Sequence, residues 1–127
     1  MKIISHIARI LLGLIFLTFG LNGFLHFLSM PAPTGLAGQY LGALFVSHFL
    51  VVVFAIQVIG AVLLLANRFV PVALVLLGPV IVNIFLFHCF MAPGGLPLAL
   101  VAVALWLVVF SGVRRSFAGL FVVRVED

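Results

Sequence analysis

Four long apolar runs, with every Lys and Arg placed on one side of them, constrain this chain more than any other feature. Lys2 and Arg9 open the first run, Arg68 stands between the second and third, and Arg114, Arg115 and Arg124 follow the fourth. The connections over 29–46 and 91–97 carry no charged residue. Lys and Arg in short loops are retained in the cytoplasm, so the pattern predicts an even number of spans with both termini cytoplasmic. The expected location is a bacterial-type cytoplasmic (inner) membrane.

A span requires about 20 apolar residues, so four spans and their connections occupy nearly all of these 127 residues. Charged residues make up 6% of the chain, against about a quarter in soluble domains. The lipid bilayer is therefore the expected solvent, and the expected fold is all-α: a single membrane domain over 1–127 forming a four-helix transmembrane bundle, threaded up-down-up-down. The net charge of +4 is accounted for by arginines facing anionic headgroups, which removes the argument for nucleic acid as a partner. Cys89 is the sole cysteine, so neither an internal disulfide nor a cysteine-based zinc site is expected. The first apolar run continues to about Leu28, beyond the length of a signal-peptide core, and 29–33 offers no small-residue cleavage site, so it reads as an uncleaved span.

Periodicity and breakers place the helices at about 5–28, 47–66, 71–91 and 97–113, with a cytoplasmic tail over 114–127. Gly13, Gly20 and Gly23 in the first helix offer a neighbouring backbone close approach. The segment 34–45 differs in kind: Leu36, Tyr40 and Leu44 recur at i, i+4 among glycines, which predicts a short interfacial or re-entrant helix at the outer surface, with Thr34 as its N-cap. Pro79, beside Gly78, predicts a kink in the third span. In the tail, Phe117, Leu120 and Phe121 lie at i, i+3, i+4, as an interfacial segment would.

Polar side chains inside the membrane are costly and turn towards a bundle interior or cavity, so Asn22, His26, Gln57, Asn83 and His88 are the candidate ligand-binding residues. From the rise per residue, Gln57 lies roughly 13 Å from the inner end of its helix, Asn83 roughly 18 Å, and Asn22 and His88 roughly 25 Å. Asn22 and His26 share a helix face, about 40° apart, whereas Asn83 and His88 are about 140° apart. His48 and Gln57 come out roughly opposite, which sets His48 aside as interfacial. Trp106 falls at the depth of Gln57, outside the usual aromatic belt, and the Gln57 amide oxygen is the expected acceptor for its indole N–H. Asn22, Gln57 and Asn83 are thus expected to share one interior with Trp106. Each residue also has a structural reading: amides as interhelical glue at roughly 0.6–2 kcal/mol per contact, outer histidines snorkelling at the headgroups, and Cys89 as an inert thiol.

Two stretches carry a family resemblance: ARILLGLIFLTFGLNGFLHF over 8–27 and RFVPVALVLLGPVIVNIFLFHCF over 68–90. With the Pro/Gly segment between the first two spans and a polar position in the second, they resemble the DoxX family of small membrane proteins. The resemblance implies four membrane helices and, through the family's namesake, a link to quinone-dependent oxidoreductases. One departure stands out. Where similar sequences often carry Glu in the second helix, this chain has Gln57, and its only acids are Glu126 and Asp127.

The expected role is an accessory or anchoring subunit, not catalytic alone, working with a redox or soluble partner subunit or as a homo-oligomer. The alternatives are a quinone-binding component of an oxidoreductase, with quinone as cofactor, and a small transporter. A b-type cytochrome with His26 and His88 as axial ligands is disfavoured because the two depths differ, and no metal site is expected.

Overall fold

The structure, a computed structural model, describes residues 2–126 and is all-helical, with no strand among them. Its helices are α1 (Lys2–Leu25), α2 (Gly35–Val46), α3 (Phe49–Ala66), α4 (Val70–Phe90) and α5 (Leu96–Val113). A 3₁₀ turn over Pro93–Gly95 links α4 to α5, and a 3₁₀ segment, Arg114–Phe121, follows α5. α1, α3, α4 and α5 with its flanking turns are each long and apolar enough to cross a membrane. Only 17–28% of the residues in their apolar windows are buried within the chain, so the remaining apolar surface requires an apolar solvent.

Each of these four helices packs on two others: α1 on α3 and α5, and α4 on α3 and α5. Gly13 lies against Leu65, Gly20 against Gln57 and Val58, and Gly23 against Phe54, so α1 and α3 run in opposite directions. Gly20 permits this approach. A Cβ there would stand 2.9 Å from the Val58 side chain and 3.3 Å from its backbone nitrogen. Gly60 likewise admits Leu77 of α4, whose side chain would lie 2.8 Å from an added Cβ. Small residues at such crossings supply the packing that holds helices together in lipid, where apolar burial gives no net drive.

The core clusters toward the end of the bundle that carries the arginines. Ala8, Leu12 and Phe16 of α1 meet Ala61 and Leu64 of α3, Ala73, Leu74 and Leu77 of α4, and Val109 of α5. Phe117 closes this end: it is buried and packs on Phe110 with ring centroids 5.0 Å apart, while Leu120 and Phe121 remain exposed. The tail thus turns one of its three apolar residues inward.

Helix ends are set by left-handed residues. α1 stops at Leu25, earlier than apolarity alone suggests, because His26 adopts φ 52° and its N–H bonds the Asn22 carbonyl at 2.8 Å. α3 ends in a Schellman arrangement: Asn67 is left-handed, its N–H bonds the Leu64 carbonyl, and the Arg68 N–H reaches back to Leu63. Arg9 of α1 donates to that same Leu64 carbonyl. A guanidinium at a helix C-terminus also complements the helix dipole. Thr34 has the extended conformation of an N-cap, yet its hydroxyl makes no capping hydrogen bond. α4 continues through Pro79 without a break in its helical assignment.

Candidate functional site

The outer end of the bundle opens into a groove of about 290 Å³ between the end of α1 and the start of α3. Asn22, Gly23, Phe24 and His26 form one wall; Phe45, His48, Leu50, Val51 and Phe54 form the other. Phe54 lies directly over Gly23 and meets Phe24 edge-on, with centroids 6.3 Å apart and planes at 66°. One helical turn deeper, Gln57 is buried at 5% exposure beside Gly20.

Two histidines flank the groove, each at a chain reversal. His26 follows the last turn of α1, and His48 (φ 65°) is the residue before the first turn of α3. Histidine is among the few non-glycine residues enriched in the left-handed region, which allows the chain to reverse while presenting an imidazole. No side chain caps the start of α3. The Ser47 hydroxyl accepts the Phe49 N–H at 3.4 Å, and the Val51 N–H bonds the His48 carbonyl at 3.2 Å.

Asn22 has a defined structural task. Its Oδ1 accepts the Leu28 N–H at 2.7 Å and its Nδ2 lies 3.7 Å from the Met30 sulfur, which folds the chain after His26 back over α1. Asn83 does not enter the interior. It is exposed, and its Oδ1 accepts the Tyr40 hydroxyl at 3.1 Å, which ties α2 to the outer part of α4. His88 sits at the other outer turn, its Nδ1 3.0 Å from the Ala92 carbonyl and its ring against Gly95. With Nδ1 protonated the ring donates to that carbonyl and braces the α4–α5 connection.

Trp106 faces α4 rather than Gln57. Its indole N–H donates to the Leu74 carbonyl at 3.0 Å, its ring lies across Gly78, and it stacks on Phe110 at 5.4 Å with planes 5° apart. The expected Trp106–Gln57 hydrogen bond is therefore replaced by one to the backbone. No hydrogen bond of the Gln57 amide is present among the described residues.

The shared interior expected for Asn22, Gln57, Asn83 and Trp106 is thus corrected to four separate surroundings: an outer groove, a buried α1–α3 crossing, an α2–α4 contact and an α4–α5 contact. Asn22 and His26 do meet, as their shared helix face implied. The residue missed by sequence reasoning is His48. Its angle to Gln57 was projected along a continuous helix, but its left-handed backbone places it outside that helix. A usable signal was present: His26 and His48 both end apolar runs on the uncharged side, and antiparallel packing of those runs brings such ends together.

His26 and His88 lie at different turns, one in the groove and one against Gly95. Among the described residues no group of three or more His, Cys, Asp or Glu could hold a metal ion. Comparison with family models, with curated proteins and with solved structures finds no match.

Proposed function

We propose that this protein is a DoxX-like integral membrane protein of a bacterial-type cytoplasmic membrane and acts as an accessory or anchoring subunit of a membrane complex. In this reading α1, α3, α4 and α5 cross the bilayer up-down-up-down with both termini cytoplasmic, and α2 lies at the outer interface. The DoxX assignment rests on the two phrases over 8–27 and 68–90. The orientation rests on the one-sided distribution of all six basic residues.

The observation that carries the functional reading is how the polar side chains are used. Asn22 holds the 26–30 segment, Asn83 ties α2 to α4, His88 braces the α4–α5 turn, and Trp106 joins α5 to α4. These are tasks of holding a bundle in shape, which suits a subunit that presents surfaces to a redox or soluble partner, or to further copies of itself. The alternative of a quinone-binding component needs polar groups free to meet a ligand carbonyl. The transporter alternative needs a continuous polar path, whereas these residues face separate surroundings.

Two measurements test the proposal. Single cysteines at Thr34 and Ser116, in a Cys89→Ser background, should react with an impermeant maleimide from outside at Thr34 only; the reverse pattern would overturn the orientation. After gentle solubilisation from native membranes, the protein should migrate in an assembly well above its 13.7 kDa. A monomer whose melting temperature rises with a short-chain quinone would replace the accessory reading with the quinone-binding one.

A further inference from the structure

We propose that the outer groove binds the carboxylate head of a single-chain lipid amphiphile, such as a long-chain fatty acid, with its hydrocarbon chain running out into the bilayer. The inference does not depend on the accessory role.

The electrostatics of the groove favour an anion. Its polar side chains are Asn22, His26 and His48, and no carboxylate lines it. The Asn22 oxygen is already occupied by the Leu28 N–H, so the side-chain groups left to meet a ligand are the two imidazoles, which can each donate an N–H. The first turn of α3 supplies Leu50 and Val51 to the same wall and has no side-chain cap, so the positive end of the helix dipole reinforces the imidazoles. A neutral acceptor would gain the hydrogen bonds but little from the dipole.

Shape and placement select the rest of the ligand. A cavity of roughly 150 Å³ accommodates benzene, so about 290 Å³ holds a carboxylate and a short length of chain, but not a two-chain glycerophosphate head. Phe24, Phe45 and Phe54 line the volume behind the histidines, while Phe45 and Val51 are themselves exposed, leaving the groove open on its apolar side. With the outer ends of α1 and α3 at the headgroup level, that opening faces lipid, and the histidines sit where a fatty-acid carboxylate resides.

The test uses the full-length protein in nanodiscs of zwitterionic phosphatidylcholine and a palmitate carrying a diazirine near its carboxyl end. Light should attach the probe within 22–26 and 45–54, and unlabelled palmitate should compete while palmityl alcohol and a short-chain quinone should not. His26→Asn with His48→Asn removes both imidazoles and keeps a residue that tolerates the left-handed backbone. That variant should retain the parent melting temperature and lose labelling by about tenfold or more, as expected for removing hydrogen bonds to a charged group. Should the double variant fold poorly, Val51→Trp, which fills the groove while leaving both histidines, should also abolish labelling. Competition by the alcohol equal to that by palmitate, stronger competition by the quinone, labelling centred elsewhere, or labelling that persists in a folded variant would each overturn the proposal.

Discussion

In the half of the bundle that carries the arginines, Leu12, Leu64, Leu74, Leu77 and Val109 are fully buried, and Phe117 closes the end. In the opposite half, among the described residues, no side chain of that size is fully buried. That half is held by hydrogen bonds from Asn22, Tyr40 and His88 and by ring contacts such as Phe24–Phe54 and Tyr40–Phe87. Left-handed residues occur at both ends, but they serve different purposes. At the inner end Asn67 and Phe69 make the tight α3–α4 turn; at the outer end His26 and His48 border a groove. The contrast teaches that aliphatic interlock sets which helices are neighbours, while polar contacts shape an outer end that remains open to a ligand or partner.

The largest expected effect lies in the interlocked half. Leu77→Ala removes a fully buried side chain from its seat against Gly60. In water such a truncation costs roughly 2–5 kcal/mol, part transfer and part cavity. In lipid the transfer part shrinks, since a leucine freed from the bundle stays in hydrocarbon, so a loss toward the lower end, about 2 kcal/mol, is expected in reversible denaturation from mixed micelles. A loss below about 0.5 kcal/mol would mean that the inner half is not held by packing, and the contrast between the halves would fail.

A smaller effect is expected for Trp106→Phe, at the junction between the halves. The substitution keeps a ring against Phe110 and Gly78 but removes the 3.0 Å hydrogen bond to the Leu74 carbonyl. That carbonyl retains its place in the helical ladder of α4, so no buried acceptor is orphaned and the cost should be about 1 kcal/mol. Adding Gln57→Leu should contribute independently, because Trp106 and Gln57 share no hydrogen bond. A strong coupling between the two substitutions would restore the Gln57–Trp106 pairing that the sequence suggested.

The same contrast explains what was legible in the sequence. Four apolar helices followed from run length and from one-sided charge, because span length is fixed by bilayer thickness and not by local detail. A helix between the first two spans was visible in the spacing of Leu36, Tyr40 and Leu44, and the structure forms it as Gly35–Val46. The facing of individual polar residues was far less legible. The shared face of Asn22 and His26 survived because both lie on or beside one helix end. For Asn83, angle and depth were computed against the bundle interior alone, although the nearest partner was Tyr40, supplied by a segment outside the four spans. Trp106 found a backbone carbonyl, an acceptor that every helical residue offers and no sequence pattern marks. His48 was obscured because a single left-handed residue shifts everything before it off the helical wheel.

The smallest and most diagnostic effect concerns the contact that Tyr40 makes with Asn83. Its hydroxyl donates to the Asn83 Oδ1 at 3.1 Å, and its ring lies 5.6 Å from that of Phe87. Because both residues are incompletely buried, water or headgroups can replace the bond, and a coupling of about 0.6 kcal/mol is expected for Tyr40→Phe combined with Asn83→Leu, the average measured between polar partners in membrane helices. So small an energy scarcely moves a global melting transition, and the place to read it is amide hydrogen exchange over Gly35–Val46. Either single variant should lower protection in α2 by about threefold, leave α3 and α4 unchanged, and add nothing to the other. Equal loss of protection in α4 would mean that the contact holds the bundle itself. Fully additive losses would show that α2 is held by apolar packing, and the outer half would then differ from the inner one in degree, not in kind.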